Sequence, residues 1–362
     1  MADQVTLIST PRLQEETAVQ RISRPRRKID WIAYLFILPA FALIITFHII
    51  PAGYAIWISM QYGAVRNFRP ACGDVDAVAK IPEWLGIART TLSCFDNYNR
   101  ALTSPEFWDS LKVTLFYVLG TVPFTMTLGL VVAYLLFQKI RGRGIYRTLY
   151  FMPHVISTVA SAIVWAWVFD PRNGIANQLF GLLGFPKQQW LLESDGLFNL
   201  LGRFFHYDVP TWAAGPSLAL VSVMIFAVWQ ALGFNVIIFL AGLTNINPEL
   251  NEAARIDGAN GWQVFRHITI PLLAPTIFFL SVVSVIASFQ AFNQIYAMNR
   301  VVAQPLGGPL GATRTVTVFM FSVLYGQNRP GYATSIAVLI SIFILVFTLI
   351  QFRFAGQRAD TA

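Results

Sequence analysis

Long apolar stretches alternate with shorter polar segments along most of this 362-residue chain. A helix needs about 20 apolar residues to cross the hydrocarbon core of a bilayer. Six stretches reach that length, and we predict that each forms a transmembrane helix: 31–58, 109–137, 146–169, 217–243, 268–297 and 331–352. The pattern therefore predicts an all-α, polytopic membrane protein with six transmembrane helices, and both termini on one side of the membrane.

One further apolar stretch, TVTVFMFSVLYG at 315–326, is too short to cross the membrane. We expect it to form an interfacial or buried helix on the outer face that leads into the last span, rather than a seventh crossing.

The composition agrees with a membrane protein. The chain is 56% hydrophobic and only 12% charged, whereas soluble domains average about 25% charged residues. The formal net charge of +8 could also indicate a nucleic-acid partner. No nucleic-acid-binding motif is present in the sequence, and basic residues commonly hold the loops of membrane proteins in the cytoplasm. We therefore expect no nucleic acid among the partners.

Basic residues favour one set of polar segments, which we assign to the cytoplasm. These residues are Arg21, Arg24, Arg26, Arg27, Lys28, Lys139, Arg141, Arg143, Arg147, Arg255, Arg266, Arg353 and Arg358. The opposite segments, 59–108, 170–216 and 298–330, also contain basic residues, but they are longer and include acidic residues. The distribution predicts a cytoplasmic basic tail at 1–30, an external loop at 59–108 and a second cytoplasmic tail at 353–362.

Cys72 and Cys94 both lie in the first predicted external loop. Paired cysteines in an oxidising compartment indicate a possible disulfide. In the chain-entropy model, closing a loop of this size stabilises the fold by roughly 3 kcal/mol. Two unrelated thiols are the alternative.

The predicted spans contain neutral polar side chains but no Asp, Glu, Lys or Arg well inside them. This absence argues against an ion-coupled secondary carrier, which needs ionisable groups in the membrane. His48 and His154 are closest to the spans, and we interpret both as structural histidines. Four histidines and two external cysteines also give little support for a metal site or a membrane enzyme.

Amides, hydroxyls and aromatic rings concentrate in the fourth and fifth spans, where they would suit a neutral sugar or polyol. The candidate substrate path consists of Trp229, Gln230, Asn235, Ser288, Gln290, Asn293, Gln294 and Tyr296. Helix–helix packing is the alternative role for the same residues. The lack of a buried Lys or Arg argues weakly against a phosphorylated substrate.

The polar segment 245–267 between the fourth and fifth spans predicts a short helix that protrudes from the membrane. Asn247 is a candidate N-cap, Pro248 suits the first helical position, and Gly258 suits the left-handed residue that ends a helix. A helix of about ten residues is marginal in water and needs a docking surface. An interfacial amphipathic helix is the alternative.

The same segment resembles the EAA loop of binding-protein-dependent ABC importer permeases. Ile270 replaces the usual leucine of that motif, and the matching positions are Glu252, Ala253, Ala254, Asp257, Gly258, Ile268 and Pro271. Other stretches, such as YRTLYFMPHVIS at 146–157, resemble the carbohydrate branch that includes the maltose and glycerol-phosphate permeases. Departures include a longer segment before Gly307, Gly308 and Pro309 and Asn293 at a commonly acidic position.

The resemblance implies the type I importer permease (MetI-like) fold, with a core permease domain at 109–352. It implies coupling of the EAA loop to two cytoplasmic ATPase subunits, which would bind the ATP. The chain itself has no P-loop motif, so no enzyme activity or cofactor of its own is expected. A second, different permease and an extracytoplasmic solute-binding protein near Gly307, Gly308 and Pro309 are also implied, in the cell membrane of a prokaryote.

The resemblance implies that the cargo is a sugar or related polyol. Glycerol phosphate or another polar solute is the alternative. An ion-coupled carrier or a membrane enzyme would fit the sequence less well.

Overall fold

The computed structural model describes residues 31–62, 69–70, 94–138, 141–210 and 213–353. The predicted basic tail 1–30, Cys72, Lys139 and Arg358 lie outside the described residues. The disulfide between Cys72 and Cys94 therefore stays a prediction.

The N-terminal part of the chain is helical, with one short hairpin. Its elements are α1 (Trp31–Ile44), a π-helical turn (Ile45–Ile49), α2 (Ile50–Ser59), β1 (Gln61–Tyr62) and β2 (Arg69–Pro70). The two strands pair antiparallel. The chain divides into two compact units, Met1–Pro51 and Ala52–Ala362.

The remainder of the described chain is mainly helical. The first of them are α3 (Asp96–Thr103), α4 (Pro105–Phe137), α5 (Arg143–Val155), α6 (Thr158–Val168), α7 (Ile175–Leu182), a 3₁₀ turn (Trp190–Leu192), α8 (Leu197–Phe204) and α9 (Leu218–Thr244). The others are α10 (Pro248–Ile256), α11 (Gly261–Val264), a π-helical turn (Phe265–Thr269), α12 (Ile270–Leu272), α13 (Ala274–Phe289), α14 (Asn293–Val301), a 3₁₀ turn (Pro309–Gly311), α15 (Val316–Phe321), a π-helical turn (Ser322–Gly326) and α16 (Pro330–Gln351).

Within the described residues, four helices are long and apolar enough to cross a membrane. They are Tyr34–Ser59, Pro105–Phe137, Leu218–Thr244 and Pro330–Gln351. Two bent pairs bring the number to six if each pair forms one span: α5 with α6, and α11–α12 with α13. The predicted fold class is thus confirmed. The stretch at 315–326 forms the short apolar helix α15 and its π-helical turn, as expected.

The bends in the third and fifth spans lie close to prolines. The third span turns by 98° between Val155 and Thr158, just after Pro153, and the fifth turns by 65° around Leu273. Pro271 and Pro275 flank Leu273. Pro275 has no N–H to donate to the carbonyl of residue 271, so the bend around Leu273 has a local cause. The helix before the other bend continues through Pro153 to Val155.

The fifth span ends earlier than the sequence predicts. Its helix stops at Phe289, and α14 begins separately at Asn293, whereas the prediction ran unbroken to residue 297. The hydroxyls of Thr315 (3.2 Å) and Thr317 (2.5 Å) both donate to the carbonyl oxygen of Ala291. These bonds satisfy the backbone where the helix is interrupted. Because the threonines are distant in the sequence, the hydrophobicity of the fifth span does not reveal the break.

The predicted external loop at 59–108 also contains helical structure. It includes α3 and the start of α4, where Ser104 caps the helix by accepting a hydrogen bond from the Phe107 amide (3.1 Å). Buried Asn97 on α3 donates to the carbonyl oxygens of Ser59 (2.9 Å) and Gln61 (3.0 Å). These bonds fasten α3 to the end of α2.

Three apolar clusters fill the interior of the larger unit. One joins α4 and α9 to α14 and the 3₁₀ turn at Trp190, a second joins α4 to α13, α15 and α16, and a third joins α4 and α9 to α13. Helix α4 contributes to all three clusters. It is therefore the central element against which the candidate sites are positioned.

Candidate functional site

The segment 245–267, which we call the coupling loop, is organised by its own backbone and side-chain caps. The Asn247 side chain accepts a hydrogen bond from the Glu249 amide (3.1 Å) at the start of α10. Gly258 ends the helix with a φ of +84°, a conformation that favours glycine. The Ala259 amide donates back to the Ala254 carbonyl oxygen (2.9 Å), as in a Schellman cap. The predicted caps at both ends of the helix are confirmed.

A second cap positions the next turn of the coupling loop. The Asn260 side chain accepts from the Gln263 amide (2.9 Å), and the Gln263 side chain accepts from the Asn260 amide (2.7 Å). This capping box fixes α11 directly after the left-handed turn. Phe265 then packs its ring against Tyr134 of α4, with 4.6 Å between ring centroids. The coupling loop is thereby joined to both the fifth span and α4.

Every side chain of α10 is exposed or half-buried, including the motif residues. Glu252 and Ala253 are exposed, and Ala254 is half-buried. Ile256 is 86% exposed and Trp262 is 65% exposed. These two apolar side chains enlarge the surface beyond the two alanines. A short helix with exposed apolar groups next to small residues can dock into a groove of another protein.

Beneath this helix lies a cavity of about 820 Å³. Glu252 and Arg255 line it from α10, and Tyr134 and Arg143 line it from the opposite side. The Arg143 guanidinium donates to the carbonyl oxygens of Phe137 (3.0 Å) and Gln138 (2.7 Å), which stabilises the C-terminal end of α4. Ile268 is half-buried and Pro271 is exposed where the loop enters the fifth span.

A second cavity, of about 380 Å³, lies among the spans, and we call it the central cavity. Four of the predicted substrate-path residues line it: Gln230, Asn235, Ser288 and Gln294. They come from α9, α13 and α14. The structure thus brings together polar residues that are up to 64 positions apart in the sequence.

Hydrogen bonds order most of the polar groups in the central cavity. Gln294 donates through Nε2 to the Tyr117 hydroxyl (2.7 Å), and Thr121 lies 3.3 Å from Ser288 between hydroxyl oxygens. Gln230 donates through Nε2 to the Thr158 hydroxyl (3.1 Å). These contacts hold the amides and hydroxyls in defined orientations.

Asn235 differs from the other polar residues of the cavity. Its side chain is 2% exposed, and Nδ2 donates to the Ala231 carbonyl oxygen (3.0 Å). Its Oδ1 is buried and accepts no hydrogen bond from any described residue. Gly129 of α4 lets the two helices approach closely here, since a Cβ at that position would lie 2.8 Å from the Asn235 Cβ. An unsatisfied buried acceptor costs about 1–3 kcal/mol.

The other four predicted substrate-path residues lie outside the lining of the central cavity. Trp229 packs against Trp165, with 5.3 Å between ring centroids. Tyr296 stacks on Phe292 at 5.4 Å. Gln290 and Asn293 are exposed on either side of the interruption that ends α13.

Hydroxyl-bearing residues of α4, which were not predicted from the sequence, also line the cavity. Tyr117, Thr121 and Thr125 are buried there, and Thr158 and His154 complete that side of the lining. The sequence pattern that could have identified them is a series of polar residues at helical spacing along an otherwise apolar span. The series consists of Ser110, Thr114, Tyr117, Thr121 and Thr125.

The segment containing Gly307, Gly308 and Pro309 forms a compact turn. The Thr313 amide donates to the Gly307 carbonyl oxygen (2.8 Å), and buried Asn299 donates to the Thr313 hydroxyl (2.9 Å). Leu310 at the tip has a φ of +51° and is 95% exposed. The turn therefore presents one apolar side chain to its surroundings. No group of three or more potential metal ligands occurs among the described residues.

Residues 125–358 match the family described as "Binding-protein-dependent transport system inner membrane component". The chain is 33% identical to a probable ABC transporter permease protein, YesP, of Bacillus subtilis, over 91% of this chain and 92% of the relative. It is 28% identical to the trehalose/maltose transport system permease protein MalF of Thermococcus litoralis, over 91% of this chain and 95% of the relative.

The fold resembles that of a bacterial ABC transporter involved in import of the acidic polysaccharide alginate. The TM-score is 0.66 at 21% identity, covering 91% of this chain and 96% of that one. The chain belongs to the binding-protein-dependent transport family of inner membrane components. It is a permease subunit of an ABC importer and has no catalytic role of its own.

Proposed function

We propose that this permease carries a neutral sugar or related polyol through the central cavity. The observation that carries the proposal is the lining of this cavity by neutral amides and hydroxyls, among them Gln230, Ser288 and Gln294. Sugar hydroxyls can donate hydrogen bonds to such groups and accept hydrogen bonds from them. The relative from Thermococcus litoralis is named for trehalose and maltose, which are neutral disaccharides.

The charge of the cavity supports a neutral substrate over an anionic one. Its described lining includes no Lys, Arg, Asp or Glu, and Tyr117 and His154 are its titratable members. Binding sites for phosphate or carboxylate usually supply a cation or the N-terminus of a helix. Glycerol phosphate therefore fits this cavity less well than an uncharged sugar.

The coupling loop supports an energy-transfer role. Its motif helix is exposed, is capped at both ends, and continues through the packed Phe265 into the fifth span. A cytoplasmic ATPase that grips Ala253, Ala254 and Glu252 would move this span when the ATPase dimer closes. This role places the loop, both termini and the chain's basic segments in the cytoplasm, within the cell membrane of a prokaryote.

Two further partners complete the proposed assembly. His154 lines the central cavity and is also exposed, so the cavity opens to the surface there, where a second, different permease would close it. On the external face, Leu310 and the turn at Gly307, Gly308 and Pro309 would meet the solute-binding protein. The exposed Leu310 side chain supports this contact.

Uptake of radiolabelled sugars by the reconstituted transporter tests the substrate proposal. Since a hydrogen bond contributes about 0.5–1.5 kcal/mol, Gln230→Ala, which removes an amide from the cavity lining, should reduce uptake of a neutral disaccharide about tenfold at low substrate concentration. Gln290→Ala is the matched control, because this exposed glutamine lies outside the cavity, and it should transport normally. Equal uptake by both variants, or preferential uptake of glycerol phosphate by the unmodified transporter, would refute the proposal.

A further inference from the structure

Helix α7 carries an apolar stripe on its exposed side. Ile175 is 56% exposed, Leu179 is 57% and Leu182 is 84%, and Leu183 directly after the helix is 72% exposed. Positions i, i+4, i+7 and i+8 lie along one side of a helix. Four large aliphatic side chains on one exposed face form a contiguous apolar surface that needs a covering partner.

The opposite side of α7 is fastened to the protein, which fixes the direction of the stripe. Buried Asn177 donates to the carbonyl oxygens of Pro171 (3.0 Å) and Gln188 (2.9 Å). Its Oδ1 accepts from the Gln188 amide (3.0 Å) and the Trp190 ring nitrogen (2.9 Å). Phe180 packs edge-on against Trp190 at 4.9 Å between ring centroids. The helix cannot rotate to bury its leucines without losing these contacts.

The position of α7 in the chain indicates what the apolar stripe contacts. The third span ends at Val168, and only six residues separate it from the start of α7 at Ile175. Trp167 near the end of that span is 64% exposed, and exposed tryptophans are enriched at membrane interfaces. Exposed Arg172 and Lys187 flank α7, where lipid phosphates would be favourable neighbours. The apolar stripe thus lies within a few residues of the end of a predicted membrane span.

We propose that α7 lies in the membrane interface, with its stripe inserted among the lipids of the leaflet next to the end of the third span. An all-aliphatic stripe without a donor or acceptor suits acyl chains, which require no hydrogen-bond complementarity. The cores of protein interfaces are instead enriched in aromatic residues, Met and Arg. Contact with this leaflet would anchor the segment between α6 and α9, whose 3₁₀ turn at Trp190 packs against α9. The proposal goes beyond the proposed transport function and does not depend on which solute is carried.

Photo-crosslinking of the complete transporter in lipid nanodiscs tests this inference. The crosslinking residue p-benzoylphenylalanine replaces Leu182, and mass spectrometry identifies the adduct after illumination. We expect the permease to gain the mass of a phospholipid. Leu183 provides a second attachment point if the residue at 182 disturbs co-purification with the ATPase.

Leu310 is the matched control, since it is also a highly exposed leucine but lies on the turn proposed to meet the binding protein. With the binding protein present, a crosslinker there should capture protein instead of lipid. Adducts from residue 182 or 183 to the second permease or to the binding protein, or no lipid adduct at either position, would overturn the proposal. Failure at Leu310 alone would weaken only the proposed docking of the binding protein.

Discussion

The coupling loop and the central cavity differ in where their stabilising contacts come from. Sequence neighbours hold the loop in shape: Asn247 caps α10, Gly258 ends it, and Asn260 with Gln263 starts α11. The central cavity instead depends on contacts such as Gln294 with Tyr117, which are 177 positions apart. The loop can therefore be displayed on the surface for another protein to grip, whereas the cavity exists only when the spans are packed. Substitutions in the coupling loop and substitutions in the central cavity should therefore have different effects.

The largest effect is expected at the coupling loop. Glu252→Lys reverses the charge of an exposed motif residue on the proposed ATPase-binding surface. Since like-charge contacts across an interface cost several kcal/mol, we expect uptake to fall about 100-fold or more while membrane insertion stays intact. Vesicle uptake and membrane fractionation measure the two quantities. Normal uptake by this variant would contradict the coupling role.

A smaller but still strong effect is expected from Ala254→Trp. The half-buried alanine leaves room for close approach of another surface, and overpacking such a contact costs about 1–3 kcal/mol. We expect co-purified ATPase to fall by about tenfold, with unchanged thermal stability of the permease itself. Ile256→Trp is the control, because Ile256 is already a large exposed residue. Full recovery of the complex with Ala254→Trp would argue against ATPase contact at this position.

A substitution in the lining of the central cavity should change the stability of the protein as well as the uptake rate. Gln294→Leu removes the donor to the buried Tyr117 hydroxyl, and an unsatisfied buried polar group costs about 1–3 kcal/mol. We expect a lower melting temperature together with severalfold slower uptake. The exposed Gln290 provides the matched control, Gln290→Leu, which should change neither quantity. An unchanged melting temperature in Gln294→Leu would show that this hydrogen bond does not stabilise the packed spans.

The smallest effect is expected from the cap of α11. Asn260→Ala removes the acceptor for the Gln263 amide, at a cost of about 1 kcal/mol. Hydrogen exchange at that amide should become about fivefold faster, with little effect at the cavity. Asn260→Ser, which keeps a capping oxygen, should restore slow exchange. Equal exchange rates in both variants would mean that the capping box does not control local opening.

The sequence by itself was sufficient to predict the features that depend on residues close together in the chain. Runs of apolar residues predicted the spans because the bilayer requires that length and composition. Asn247, Pro248 and Gly258 predicted a short capped helix because caps act on their own or adjacent turns. The position of the coupling loop and its resemblance to the importer permeases followed from the same residues.

Only the tertiary structure decided which polar residues face the central cavity. Gln230, Asn235, Ser288 and Gln294 line it, but Asn293 and Tyr296 do not. The helix of the fifth span stops at Phe289, and the new helix that begins at Asn293 is packed so that Gln294 faces the cavity. That interruption is satisfied by Thr315 and Thr317, which lie more than 20 positions later in the chain. An apolar sequence indicates that a segment is buried in lipid or in protein. The direction in which each of its side chains points depends instead on the packing of helices that are distant in the chain.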